Sequence, residues 1–188
     1  MKIVALSGSN VGTKTKTAIS YIAQTLTERY PDHEVTMLDL ADLEMVFSDG
    51  RNYLEYDGDT KYIAETMMTS DAIIIGTPIF QASIPAALKN VFDLLPEGAF
   101  RDKVVSLVVT AGSSKHFLIA EQQLKPILSF MKAQIVQQYV FVEAKDFHRG
   151  MIINDDVLFR MDRLVEDTVM LAEAYEAIQK EKEKVYGL

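Results

Sequence analysis

Three stretches of this sequence are apolar on nearly every consecutive position: Ile3-Val4-Ala5-Leu6, Ala72-Ile73-Ile74-Ile75 and Val104-Val105-Ser106-Leu107-Val108-Val109. Each is too short for a helix. A strand with one wet face would alternate, so unbroken runs predict strands covered on both faces, as in a parallel sheet layered by helices. Val35 to Leu40 and Ile135 to Val142 read as two further strands. Between them, apolar residues recur at helical spacing: Ile19, Ile22, Ala23 and Leu26, then Ile63 and Met67, then Ile84, Leu88, Val91, Phe92 and Leu95. Leu124, Ile127, Leu128 and Met131 make a fourth such stripe, and Val157 to Tyr175 a fifth. Five strands alternating with five helices predict one α/β domain over 1–188, a parallel sheet with right-handed crossovers and helices on both faces. The commonest strand order for such a sheet is 2-1-3-4-5, with the ligand off the carboxyl ends of strands one and three.

Local signals set the expected boundaries. Tyr30-Pro31-Asp32 stops the first helix, and Pro78 ends the third strand because it removes a ladder donor. Ser83 is the expected N-cap of the third helix, with Pro85 in its first turn. Pro126 is expected to kink the fourth helix, and Asn154 or Asp155 to cap the last, whose Lys180 to Lys184 end reads as a solvated terminus. From Ala41 to Gly58 the pattern loosens around Phe47, Tyr53 and Tyr56. That segment reads either as a cover over a ligand or as a surface loop with aromatic anchors.

Composition excludes several chemistries. With no cysteine there is no thiolate nucleophile and no cysteine-held cluster. His33, His116 and His148 lack ligand spacing, so a metal site is not expected. A net charge of −8 opposes nucleic acid as a partner. No run is long enough to span a membrane and no signal peptide is visible, so the expectation is a soluble cytoplasmic protein.

Three loops follow strands one, three and four: Ser7 to Thr17, Pro78 to Ser83 and Ala111 to His116. In the predicted sheet they meet at one crevice. The first lacks both G-x-x-x-x-G-K-[ST] and G-x-G-x-x-G, so neither a triphosphate loop nor a dinucleotide fingerprint is present. Ser9, Thr13, Thr15 and Thr17 could instead offer hydroxyls beside the amides of a helix N-terminus, a setting for the phosphate of a mononucleotide. The plainer reading is that they cap the helix. Ser9 and Ser113 have no visible base, and Asp39 and Asp71 do not form an acidic cluster. A hydroxyl loop, an apolar-aromatic loop and a Gly-Ser loop together suit a planar, phosphate-tailed cofactor that brings the chemistry with it.

The segment Thr77-Pro78-Ile79-Phe80-Gln81-Ala82-Ser83-Ile84-Pro85-Ala86-Ala87-Leu88-Lys89-Asn90 resembles the T-P-x-Y-x-x-S-x-x-x-A-L-K signature of the NADPH-dependent FMN reductases of flavodoxin-like fold. Asp93-Leu94-Leu95-Pro96, Gly112-Ser113-Ser114-Lys115-His116 and Leu124-Lys125-Pro126 continue the resemblance, which runs from Lys2 to about Tyr175. The flavin reductases of two-component alkanesulfonate monooxygenases are especially similar. Phe80 stands where the family often has Tyr, and Val11 where it commonly has Arg.

The resemblance implies a three-layer flavodoxin-like sandwich that binds FMN and takes hydride from NADPH. It places Ser9, Thr15, Lys16 and Thr17 at the FMN phosphate, with Thr13 and Lys14 as alternatives. Pro78, Ile79, Phe80 and Gln81 would border the flavin ring, and Gly112, Ser113, Ser114 and His116 its polar edge or the nicotinamide. It further implies a homodimer or homotetramer, for which Phe92, Phe117 and Phe130 are candidate contacts, and a flavin-dependent monooxygenase as a possible partner. The alternatives are a quinone, azo-dye or chromate reductase with bound flavin, a non-enzymatic electron carrier, and a scaffold without cofactor.

Overall fold

The computed structural model describes residues 1–186, so Gly187 and Leu188 of the expected domain lie outside the described residues. Its centre is a parallel sheet in the order β2-β1-β3-β4-β5. The strands are β1 (Lys2–Ser7), β2 (Glu34–Asp39), β3 (Ala72–Pro78) and β4 (Val104–Ala111), with an edge made of β5 (Gln134–Ile135) and β6 (Val140–Glu143). Ser7 pairs with Asp39 on one side and Gly76 on the other, and Pro78 pairs with Thr110, so the carboxyl ends of β1, β3 and β4 finish side by side.

Alternate residues of each strand feed two cores. Val4, Leu6, Ile73, Ile75, Leu107 and Val109 pack on α2 (Gly58–Thr69), α3 (Ala86–Leu94) and α4 (Lys125–Phe130). Ile3, Ala5, Ile74 and Val108 pack on α1 (Lys14–Arg29) and α5 (Asp155–Tyr186). The unbroken apolar runs thus have the expected cause, since both faces of β1, β3 and β4 are covered. An antiparallel hairpin, β7 (Phe147–His148) and β8 (Met151–Ile152), leads into α5.

Four expectations need correction. The fifth strand is broken: from Val105 to Val108, a step of three on β4, the edge advances five, Ile135 to Val140. The two extra residues bulge out, and the Lys125 ammonium takes the freed Gln137 carbonyl at 3.0 Å. Pro126 does not sit within a regular helix. It lies in the first turn of α4, whose helical backbone continues directly from a single π-type turn, Ala120–Leu124, and that irregularity accommodates the missing N–H. Pro85, with φ −62° and ψ 146°, is the N-cap residue of α3, while Ser83 donates instead to Gln123 Oε1 at 2.6 Å. Phe92 is core, set edge-on against Phe100, whereas Phe117 and Phe130 are exposed. Asn154 resolves the remaining cap by accepting the Asp156 N–H at 3.1 Å.

The open question at 41–58 is also resolved. Asn90 of α3 accepts the Ser48 N–H at 2.9 Å and donates to the Val46 carbonyl at 3.0 Å, and Thr60 of α2 accepts the Val46 N–H at 3.0 Å. Tyr56 is buried and donates to Asp49, whose carboxyl the Arg51 guanidinium holds below the usual carboxylate range. The segment is a fastened surface loop on the α2/α3 side, not a cover for the strand ends. Among the described residues, no helix is long and apolar enough to cross a membrane.

Candidate active site

Between the carboxyl ends of β1, β3 and β4 lies a cleft of about 450 Å³. All three predicted loops reach it. The first contributes Val11 through Thr15, the second Pro78, Ile79 and Phe80, and the third Gly112 together with Thr110 and Ala111.

The first loop is shaped by glycine at two points. The Gly8 N–H donates to the Gly76 carbonyl at 2.7 Å, and a Cβ on Gly8 would stand 2.7 Å from that same oxygen. Gly12 has φ +80°, a left-handed conformation that other residues adopt at a cost. Ser9 is buried, donates to the Val11 carbonyl at 2.6 Å and accepts the Val11 N–H at 3.3 Å. Its hydroxyl therefore holds the loop together rather than facing the cleft.

Helix α1 then starts without a side-chain cap. Thr13 is its N-cap residue but makes no capping hydrogen bond, and the first turn carries no acid. The first helical bond is Thr17 N–H to Thr13 carbonyl, 2.8 Å, so the amides before it are left without helical acceptors. Such amides, at the positive end of the helix dipole and beside the cleft, are able to accept an anion. Under it, the buried Thr15 hydroxyl meets the Thr110 hydroxyl at 2.8 Å, tying the first turn to β4.

Two neighbouring side chains point elsewhere. The Lys16 ammonium lies 2.8 Å from Asp39 Oδ2, in a direction poor for a hydrogen bond, and 2.9 Å from Asp42. Asp39, then Asp42, hold Lys16 above the ordinary lysine range, so its charge is committed to the end of β2 and Lys16 does not line the cleft. The Thr17 hydroxyl faces the Gly150 carbonyl at 3.4 Å, on the outer side of α1. Lys14, by contrast, lines the cleft with its ammonium 5.8 Å from the Phe147 ring centre.

The second loop is a rigid apolar wall. The Ile79 N–H continues the sheet to the Thr110 carbonyl at 3.1 Å, and Phe80 and Ser83 exchange two 2.9 Å backbone bonds. Between them Gln81 and Ala82 have φ 49° and 58°, a primed turn without glycine that stores strain. Gln123 braces it by donating to the Ala82 carbonyl at 3.1 Å. Phe80, 40% exposed, is displayed on the cleft, while Gln81 at the turn tip is not part of the lining. Beyond Gly112, Ser113, Ser114 and His116 continue along the rim outside the cleft itself.

Of the residues expected from the sequence, Thr15, Pro78, Ile79, Phe80 and Gly112 line the cleft, as do the alternatives Thr13 and Lys14. Sequence reasoning missed Thr110, read only as a strand end. The available signal was a hydroxyl at the carboxyl end of an otherwise apolar run, on the strand face that packs under α1.

This sheet, with an open cleft at the carboxyl ends of its strands, defines a flavodoxin-like α/β protein. A family model described as NADPH-dependent FMN reductase matches residues 1–147, and the chain belongs to that family. It is 36% identical over 170 residues to an NAD(P)H-dependent FAD/FMN reductase of Geobacillus thermodenitrificans, covering 90% of this chain and 92% of the relative. It is 27% identical over 164 residues, 86% of each chain, to the NADH-dependent FMN reductase SfnF of Pseudomonas fluorescens. The solved apo structure of an NADH:FMN oxidoreductase, EMOB, superposes with a TM-score of 0.71 at 27% identity, covering 88% of this chain and 86% of that one.

Proposed function

We propose that this chain, as one flavin-binding domain, is an NAD(P)H-dependent FMN reductase that holds the FMN phosphate on the amides of Thr13 to Thr15 and the ring against Pro78, Ile79 and Phe80. The observation that carries the reading is the uncapped, acid-free first turn of α1 opening into an apolar-walled cleft. A phosphate supplies the acceptors those amides lack, and Lys14 adds a positive charge at the same wall. Thr15 and Thr110 fix the turn from below. Gly112 leaves open space on its side, where a Cβ would meet nothing within 4 Å. The rim residues Ser113, Ser114 and His116 stand where they can meet the ring edge or the nicotinamide.

Bound flavin supplies the two-electron centre that accepts hydride from the nicotinamide. The chain's part is positional. The rigid 78–83 turn and the first turn of α1 hold the ring so that a second planar ring can stack on it, and no general base is required. Reduced flavin would then serve an acceptor, a flavin-dependent monooxygenase being one such partner. The decisive experiment is to titrate the flavin-free protein with FMN, add NADPH under anaerobic conditions and follow loss of flavin absorbance. Saturable FMN binding with rapid bleaching is expected; no binding, or binding without bleaching, overturns the reading.

A bound-flavin reductase of a second acceptor is the alternative, favoured by a 25% identical NADPH azoreductase of Bacillus sp. matched over 190 residues. Steady-state kinetics separates the two, because free FMN saturates as a substrate only in the first.

Lys16 enters this reading as a positioning residue. It anchors the first turn of α1 to Asp39 and Asp42 at the end of β2. Lys16→Gln is expected to weaken FMN binding about fivefold to tenfold, leaving riboflavin, which has no phosphate, unaffected. Lys16→Arg should restore it. Equal loss for both flavins would show a general structural role instead.

A further inference from the structure

The N-terminus of α1 is flanked by two hollows, of which the cleft is only one. On the outer side of the same helix, between α1 and the β7–β8 hairpin, runs a groove of about 780 Å³. The two share Thr13. A phosphate seated on the first turn would therefore have the flavin cleft on one side and this groove on the other.

The groove has the chemistry of a nucleoside site. Its apolar surface comes from Met151 and Ile152 of the hairpin, Leu158 of α5 and the ring of Tyr21, whose hydroxyl is held by Asp162 at 2.8 Å. Along α1 it is edged by the hydroxyls of Thr17 and Ser20 and by the Gln24 amide. Apolar surface for a base, with neutral hydroxyl and amide groups for a ribose, suits a purine riboside. The groove's own cation, Lys16, is occupied by Asp39 and Asp42 and so does not call for a free anion deep inside. On the cleft side the situation reverses. Lys14, which lines the cleft next to the shared Thr13, has no carboxylate partner among the described residues, as befits a second phosphate there.

We propose that this groove is an adenylate subsite, receiving the AMP half of a dinucleotide whose other half reaches the cleft. The proposal rests on the flavin reading above. The dinucleotide is either FAD, with its flavin in the cleft, or the nicotinamide donor.

The test uses the full-length flavin-free protein with Ser20→Trp and Gln24→Trp, two exposed α1 positions whose indoles would fill the groove. FMN and FAD are titrated separately by flavin fluorescence, and the KM for NADPH is measured at saturating FMN. If FAD's adenylate uses the groove, both substitutions raise its Kd about tenfold relative to that of FMN. If the donor's adenylate uses it, the FAD/FMN ratio stays put while the KM for NADPH rises about tenfold with kcat held. Either result supports the subsite. Changes within about twofold in both measurements overturn it. Failure of the wild type to bind FMN sinks the flavin reading as well, and that outcome is recognisable before any variant is made.

Discussion

Gly76→Ala is expected to destabilise the protein by about 2–3 kcal/mol, although it adds a single methyl group. Gly76 sits inside β3, paired with Ser7 and Val108, directly beneath α1. A Cβ built there stands 2.4 Å from Ile19 Cγ1, 2.7 Å from Ile19 Cδ1 and 3.1 Å from Thr15 Cγ2. Ile19 is fully buried between α1 and the sheet, so it has nowhere to withdraw. The contact can relax only if α1 lifts. For a chain of this size a loss of 2–3 kcal/mol corresponds to a melting temperature lower by roughly 5–10 °C. Gly76→Val should cost more still. Because Thr15 is one of the two side chains in the way, lifting α1 also displaces the proposed phosphate seat, and FMN affinity should fall in protein that remains folded. Gly12→Ala is the contrast. Its Cβ meets nothing within 4 Å, so only the left-handed φ of +80° is penalised, by about 1 kcal/mol. A wild-type melting temperature for Gly76→Ala would mean that α1 does not pack this closely on β3.

The sheet was readable because burial on both faces leaves an unmistakable run of apolar residues in β1, β3 and β4. The break in the edge strand was not, since its two-residue bulge is held by Lys125, twelve residues upstream, reaching the Gln137 carbonyl. Ser83 looked like a cap because its residue type favours caps. In the structure a strained turn and the demand of Gln123 decide its partner. Such long-range contacts leave no local pattern to read.

The site shows the same division. Which loops would meet followed from strand order alone, and their convergence on one cleft was expected. Which hydroxyls face that cleft depends on the rotational phase of α1. Thr13 and Thr17 lie one turn apart on one side of the helix, while Thr15 lies nearly opposite and points into the protein. Spacing cannot say which side meets β4. The Thr15–Thr110 bond settles it, leaving Thr17 to the hairpin and Lys16 to β2. A lysine beside a phosphate loop invites assignment to the ligand, yet two carboxylates far along the chain had already claimed this one.

Thr13→Asp is the substitution for which stability and function should move in opposite directions. Thr13 is exposed at the N-cap of α1 and contributes no side-chain bond. Aspartate is a better cap than threonine and also complements the helix dipole, so the free protein should hold its melting temperature or gain up to about 1 kcal/mol. That carboxylate would occupy the same amides to which the FMN phosphate is assigned in the proposed site, and would add a negative charge beside it. At about 5 Å and an effective dielectric of about 20, one unit-charge pair repels by roughly 3 kcal/mol, and the phosphate carries more than one charge. FMN affinity should therefore drop by at least about a hundredfold, with riboflavin affinity little changed. Thr13→Asn, which caps without charge, should lose far less. Isothermal titration of both flavins beside a thermal melt reads all of these quantities on the same samples. If Thr13→Asp bound FMN within about threefold of wild type, the phosphate would have to sit away from α1, and the flavin's orientation in the cleft would have to be redrawn.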